Sequence, residues 1–393
     1  MRRICLLVPI LVLLAGCTAR SASLPGLTAD GASAIDDMFQ HAVDKGEIPG
    51  VVAAVVNRDR VLYLKAFGNQ DVGRGIPMST DTVFRIASMT KPVTSAGIMM
   101  LVEEGKLRLD DQVGSYLPAY KGREVIATFN DGDATYTTRP AKSEITVREL
   151  LTHTSGLSYD FTSPTVVAIA KKSGTDPKDM PLLFDPGTKW TYSPATAVLG
   201  SLIEKLSGQS LEAWDEARIF RPLGMVDTTY APDMGKVKRL ATIHQREVDG
   251  LAETPNAEQF TPSVRGDGGL VSTAADYSAF VQLFLNEGRS HGQQLLKPET
   301  VRLMTTNQIG ALVVETMPAA LPRRSAPFPY GAGIDKFGFG FQITMTDGAA
   351  THERRAGSYT WAGIDNTTSG STRRTASEPS SSRRSCRFTT RPA

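Results

Sequence analysis

Residues 93–102 form a run that is apolar almost all round (Val93, Ala96, Ile98, Met99, Leu101, Val102), and it begins directly after Ser88-Met-Thr-Lys91-Pro92. A helix without a polar face has to be buried on every side, so a chain carrying one must build a large core around it. Pro92 suits the first turn of such a helix, where its missing N–H would have had no partner. Ser88 and Lys91 are three residues apart and share a helix face. Burial there would desolvate the Lys91 amine. A serine hydroxyl needs a nearby base to act as a nucleophile, and a desolvated lysine can be that base or hold it in place. The positive end of the helix dipole also favours an oxyanion. The alternative is an N-capping Ser88 and a solvated first-turn Lys91. The Ser-x-x-Lys spacing alone does not separate the two.

At 393 residues the chain can hold one large or two modest domains. Its net charge of +2 is unevenly spread. Arg2 and Arg3 lie at the start, and six arginines against one glutamate follow Asn366, which leaves a mildly acidic body. That argues against a nucleic-acid partner. Met1-Arg-Arg followed by Ile4–Leu14 reads as the charged and apolar parts of an export signal, too short for a stable span. It ends in Leu14-Ala-Gly-Cys17, which resembles a bacterial lipoprotein box with Cys17 as the lipidated residue. An ordinary secretory signal cut near Ala22 is the alternative. Either way an exported, periplasmic or cell-envelope protein is expected, touching the membrane only through a lipid. Cys5, Cys17 and Cys386 are placed so that no structural disulfide is expected.

The expected organisation is a signal over 1–16, a linker over 17–31 and one domain over 32–365. Ala32–Lys45 reads as an amphipathic helix ended by Gly46. Gly50–Val56, a turn at Asn57–Arg60 and Val61–Phe67 read as a β-hairpin. In Lys106–Leu117, the Asp110-Asp111 pair reads as a cap and not a carboxylate dyad. Thr146–Gly156 is a capped helix entering a glycine turn. His153 in that turn lacks a sequence-local carboxylate to orient it and reads as structural. Tyr192 sits where a loop meets the helix Ala195–Leu206. It can pack as an ordinary aromatic, or aim its phenol into a cleft where nearby cations would make it a base. Leu211–Leu223, Asp276–Asn286 and Lys297–Thr305 read as helices, and Phe337–Ile343 alternates as a strand does. Gly266–Asp276 has glycine turns without the strand–loop–helix setting of a phosphate site. The five histidines are scattered, so neither a metal nor another cofactor is expected.

In this order the segments resemble the serine β-lactamase and DD-peptidase superfamily, and within it the class C β-lactamase-like carboxylesterases of family VIII. Ser88-Met-Thr-Lys91 matches the Ser-x-x-Lys element, Tyr192-Ser-Pro194 the Tyr-x-Asn element, and Trp361-Ala-Gly363 falls where Lys-Thr-Gly is expected. The resemblance implies a mixed α/β (α+β) fold. An antiparallel sheet flanked by helices, from about 32–85 and 265–365, would join an all-helical part over about 86–264, with the site between them. It implies Ser88 as nucleophile, and Tyr192, ionised with help from Lys91, as the group taking the serine proton. The N–H groups of Ser88 and Ile364 would form the oxyanion hole. Two departures point to the substrate. Pro194 offers no side-chain hydrogen bond where an asparagine would hold an amide. Trp361 and Ala362 remove the cation and hydroxyl that would meet a carboxylate, which is costly to bury alone. With Gly363 they suit small uncharged esters. The rival readings are a β-lactamase or DD-peptidase, and a non-catalytic cell-envelope binding protein.

After Asn366 the chain becomes rich in Ser, Thr and Arg and poor in apolar residues, too poor to offset its ordering entropy by burial. A disordered tail over 366–393 is therefore expected. Permitted codons for Thr368–Pro379, regrouped from the third base, encode Phe-Trp-Ile-Asp-Pro-Ala-Asn-Gly-Ile-Gly-Ala. A shifted reading frame that leaves the enzyme poorly folded or nearly inactive is the expectation drawn from this.

Overall fold

An antiparallel sheet of eight strands carries the molecule. Its spatial order is Lys336–Phe337, Gln342–Ile343, Tyr359–Ala362, Thr367–Ser371, Ser385–Thr389, Gly50–Val56, Val61–Asp71 and Ile76–Pro77. The computed structural model describes residues 26–247, 250–253, 261–322, 325–347, 354–372 and 385–389. The leader, the Cys17 box and Cys5 lie outside the described residues.

Gly50–Val56 is buried along its whole length because both faces of the sheet are covered there. Val51, Ala53 and Val55 point to one side and pack with Phe39 and Ile48. Val52, Ala54 and Val56 point to the other and join the main core with Phe280 and Phe284 of the helix Ala274–Leu285. The first helix runs from Ala29 to Asp44, with Thr28 accepting from the Gly31 N–H at 3.1 Å. It starts inside the stretch expected as linker.

Between the N-terminal and C-terminal strands in sequence lies the helical part, which is not all-helical, contrary to expectation: the hairpins Glu124–Phe129/Tyr136–Pro140 and His244–Glu247/Gly250–Glu253 pair their backbones within it. Its centre is Thr90–Glu103, buried from Thr90 through Leu101 as its composition requires. Gly97 lets the Trp214 ring approach, since a Cβ there would lie 2.8 Å from it. Leu211–Leu223 is helical but contains a π-helical stretch, Glu216–Phe220. Asp111 does act as a local acceptor, for the Arg108 N–H at 2.8 Å and the Tyr116 hydroxyl at 2.7 Å, while Asp110 pairs with Arg148.

Two further expectations need correction. Phe337–Ile343 is not one strand: Lys336–Phe337 pairs with Gln342–Ile343 around a tight turn containing Gly340 at φ +91°. The alternation was real, but the glycines reverse the chain instead of extending it. Nor does order stop at residue 365. Thr367–Ser371 is a strand between Tyr359–Ala362 and Ser385–Thr389, and the latter also pairs with Gly50–Val56. Backbone hydrogen bonds supply this pairing whatever the side chains are, which composition could not reveal. The remaining tail residues lie outside the described ones.

Candidate active site

Ser88 sits in a 3₁₀ turn, Ala87–Met89, that feeds the Thr90–Glu103 helix, and not in the helix itself. Ala87 has φ +43°, a left-handed conformation rare for a residue with a Cβ. The turn is pinned from several sides. Ile86 N–H donates to the Leu270 carbonyl at 3.1 Å, and the Tyr277 hydroxyl donates to the Met89 carbonyl at 2.9 Å. From the sheet, the Thr367 hydroxyl donates to the Ile86 carbonyl at 3.1 Å.

The Ser88 hydroxyl is flanked by both groups expected to reach it. Lys91 Nζ lies 3.2 Å from Ser88 Oγ, and the Tyr192 hydroxyl donates to that oxygen at 2.5 Å. Lys91 is 1% exposed. Its Nζ also contacts Tyr159 Oη at 3.0 Å and the Asp267 carbonyl at 2.6 Å. Burial pulls the amine down to about 7; the Asp267 carboxylate opposes that shift and Arg265 adds to it. The Tyr192 phenol goes the other way. Burial pushes it far up, against the Ser88 hydroxyl and the Trp361 side chain, which pull it down. The expected ionised Tyr192 is therefore not the resting form, because dehydration of the phenolate outweighs the help its neighbours give.

Tyr159 and Asp267 went unrecognised as site residues. The Tyr159 hydroxyl donates to Asp267 Oδ2 at 2.6 Å, and Arg265 holds the other carboxylate oxygen at 3.0 Å. Burial works to raise the Asp267 carboxyl, but Lys91 and Arg265 outweigh it and keep it below the usual range. Asp267 reaches Lys91 because the turn beginning at Gly266 packs tightly on the helices. A Cβ on Gly266 would lie 2.7 Å from the Thr196 carbonyl, and Thr94 Oγ1 donates to the Gly266 carbonyl at 2.8 Å. The glycine at 266 was the readable signal for close approach. Tyr159 carried none, since its role arises only when residues 159 and 267 meet.

His153 occupies its turn at φ +58° and is buried, with Nδ1 3.0 Å from Ser193 Oγ. Burial keeps its imidazole neutral. Its ring meets Tyr192 edge-on (5.0 Å) and stacks with Trp361 (6.4 Å), so it buttresses the phenol. Pro194 is at the N-cap position of the helix Ala195–Ser207.

The hairpin Tyr359–Ala362/Thr367–Ser371 brings Trp361, Ala362, Gly363 and Ile364 alongside. Gly363 lies so close to the turn before Ser88 that a Cβ would stand 2.4 Å from the Ile86 carbonyl. The hairpin bond from Gly363 N–H to the Thr367 carbonyl (2.7 Å) and that from Asn366 N–H to the Gly363 carbonyl (3.0 Å) leave the Ile364 N–H outside the ladder. Ser88 N–H opens a helical turn, where such groups have no intrahelical partner. Trp361, 1% exposed, packs with Tyr192, Phe337 and Phe328 at ring separations of 5.2, 5.3 and 5.7 Å. Tyr159, Trp190, Ile309, Val314 and Met317 complete this apolar cluster. Among the described residues no group of His, Cys, Asp and Glu could hold a metal ion.

A strained turn presenting a serine to a buried lysine and tyrosine, beside an inner strand of an antiparallel sheet, defines a β-lactamase-type serine hydrolase. The chain belongs to the beta-lactamase family, whose model matches residues 35–375. Among its relatives, Protein Rv1367c of Mycobacterium tuberculosis is 36% identical over 286 residues, covering 69% of this chain and 71% of that one. Lovastatin esterase of Penicillium rubens is 30% identical over 355 residues, covering 84% and 87%. The solved structure of simvastatin synthase (LovD) from Aspergillus terreus superposes with a TM-score of 0.76 at 27% identity, covering 92% of this chain and 93% of that one.

Proposed function

We propose that this chain cleaves small uncharged carboxylic esters through an acyl-enzyme on Ser88. The observation that carries the reading is the double contact on Ser88 Oγ, from an amine held near neutrality and from a protonated phenol. Neutral Lys91 takes the Ser88 proton as Oγ bonds to the acyl carbon. The N–H groups of Ser88 and Ile364 receive the oxyanion. The Tyr192 phenol gives its proton to the departing alcohol as the C–O bond breaks. The acyl-enzyme then holds a Lys91 ammonium and a Tyr192 phenolate. Water attacks, its proton goes to Tyr192, and Lys91 returns its own to Ser88 Oγ as the acid leaves. Tyr159 and Asp267 hold Lys91 in place throughout. This order differs from the one the resemblance implied, where Tyr192 began as the base.

The aromatic surround of Trp361, with Ala362 beside it, favours uncharged groups over a carboxylate. A fluorophosphonate should label Ser88, read as a mass shift on its peptide, and short-chain esters should be turned over far faster than a chromogenic cephalosporin. Preference for the cephalosporin would favour the β-lactamase reading. No labelling and no turnover of either would favour the non-catalytic one. The leader supports export and anchoring through Cys17. A Cys17→Ser variant should then move from the membrane fraction to the soluble one.

A further inference from the structure

Asp267 offers Lys91 its main-chain carbonyl, at 2.6 Å, while its carboxylate is taken by other partners. Tyr159 donates to Oδ2 at 2.6 Å. Arg265 donates twice, from Nε to Oδ1 at 3.0 Å and from Nη2 to Oδ2 at 3.2 Å. A planar guanidinium that meets both oxygens of a carboxylate fixes direction as well as distance. The remaining nitrogen of Arg265, Nη1, reaches Asp176 Oδ2 at 3.1 Å. Asp176 caps the short turn Pro177–Asp179 by accepting from the Lys178 N–H at 3.0 Å, so this outer anchor is itself fixed. At the inner end the Gly268 and Gly269 N–H groups donate to the Arg265 carbonyl at 3.2 and 3.1 Å.

The charges explain why such a clamp is needed. Taking the Ser88 proton requires a neutral Lys91. The Asp267 side chain is only 5% exposed. An unbalanced carboxylate so placed would hold the neighbouring amine as an ammonium. Among the other titratable groups acting at this place, burial keeps Tyr159 and Tyr192 protonated and His153 neutral. On the far side of Arg265, burial pushes the Tyr120 phenol up to about 12. Asp267 is thus the anion that matters to Lys91, and Arg265 is the cation that balances it. The guanidinium helps to bring the amine down, against the carboxylate, which is the sign the clamp requires.

We propose that Arg265 is a positioning residue: anchored on Asp176, it clamps the Asp267 carboxylate off the Lys91 amine, so that Lys91 binds the Asp267 main-chain carbonyl and is free to take the Ser88 proton. The inference rests on the ester-cleavage reading above. Arg265 acts through Asp267, since its own bonds go to the two carboxylates.

The test follows ester kcat/KM against pH, whose acid limb reports Lys91 in the free enzyme. Arg265→Met keeps an apolar stem and removes both the charge and the fork. The limb should move up by about one unit, so that the ratio of kcat/KM at pH 6 to its plateau value falls about tenfold. Arg265→Lys keeps the charge without the paired bonds and should move the limb the same way by about half as much; it carries the test if Arg265→Met does not fold. In an Asp267→Asn background Arg265→Met should leave the limb in place, because no carboxylate remains to be held off. A limb that stays put in the folded Arg265 variants, or a loss of equal size at every pH, would overturn the proposal. So would a shift that persists in the Asp267→Asn background, since the cation would then act on Lys91 directly. Failure of the underlying reading looks different: wild-type enzyme would turn over no ester, and Ser88 would take no fluorophosphonate.

Discussion

The site is assembled from two halves that work by different means. The half built on the Thr90–Glu103 helix offers side chains (Ser88, Lys91, Tyr159, Tyr192), each fixed by the core around it. The half built on the 359–371 hairpin offers mostly backbone, at Gly363 and Ile364, with one indole. The helix half owes its chemistry to burial, which dehydrates Lys91 and keeps Tyr192 protonated. The hairpin half owes its place to strand pairing and to a glycine that lets two backbones touch. Substitutions should therefore act through chemistry on one side and through distance on the other.

The largest effect belongs to the helix half. Ser88→Ala should reduce ester turnover at least ~10³-fold, while thermal stability stays within about 0.5 kcal/mol, checked by a calorimetric scan. Activity retained in a stable variant would remove Ser88 from the chemistry.

On the hairpin side, Gly363→Val forces a Cβ towards the Ile86 carbonyl and the Thr367 hydroxyl, at 2.4 and 2.5 Å in the present geometry. The strand must retreat. Displacement of an oxyanion donor by that amount should cost about 10²-fold in kcat, with KM little changed. A fluorophosphonate should still label Ser88, only more slowly. Unchanged kcat would show that the hairpin is not an oxyanion partner.

What was legible follows the same division. An apolar run, a serine and a lysine three residues apart already required burial and a shared face, and the structure places them 3.2 Å apart. Tyr192 was legible through its place before a helix, but the direction of its proton affinity was not. That direction depends on dehydration, which only the assembled core sets. Asp267 and Tyr159 were hidden because their partnership spans 108 positions. The strand Thr367–Ser371 was misread for a related reason: hydrophobic patterning reports side-chain burial, whereas this strand is held by its neighbours' backbones.

A pH profile separates the halves further. Lys91 must be neutral to take the Ser88 proton, and burial brings it down to about 7. Ester kcat/KM should thus rise with pH and level off above about 7, falling about tenfold per unit on the acid side. Gly363→Val should lower the whole curve without moving its midpoint, while Tyr159→Phe, which alters a contact of Lys91, should move it. A curve that falls with rising pH through 7 would mean that charged Lys91 is the active form.

The smallest effect tests the hairpin's own oddity. Thr367, Ser369 and Ser371 face inward along the strand, and Ser371 Oγ is buried without a partner. Ser369 and Ser371 line a cavity of about 10 Å³, room for one water, walled by Phe280, Phe284, Phe341 and Tyr359. Polar residues against that wall are what a shifted reading frame would leave behind. The regrouped codons put Phe and Ile at 369 and 371, the two inward positions. Burying those side chains should contribute about 1.5–3 kcal/mol each, offset by about 1–3 kcal/mol of crowding in so small a space. The double variant Ser369→Phe, Ser371→Ile should come out more stable by up to about 5 kcal/mol, with Tm raised and ester activity kept or raised. If the polar strand is the one the fold was built around, the same pair overpacks the wall and Tm drops.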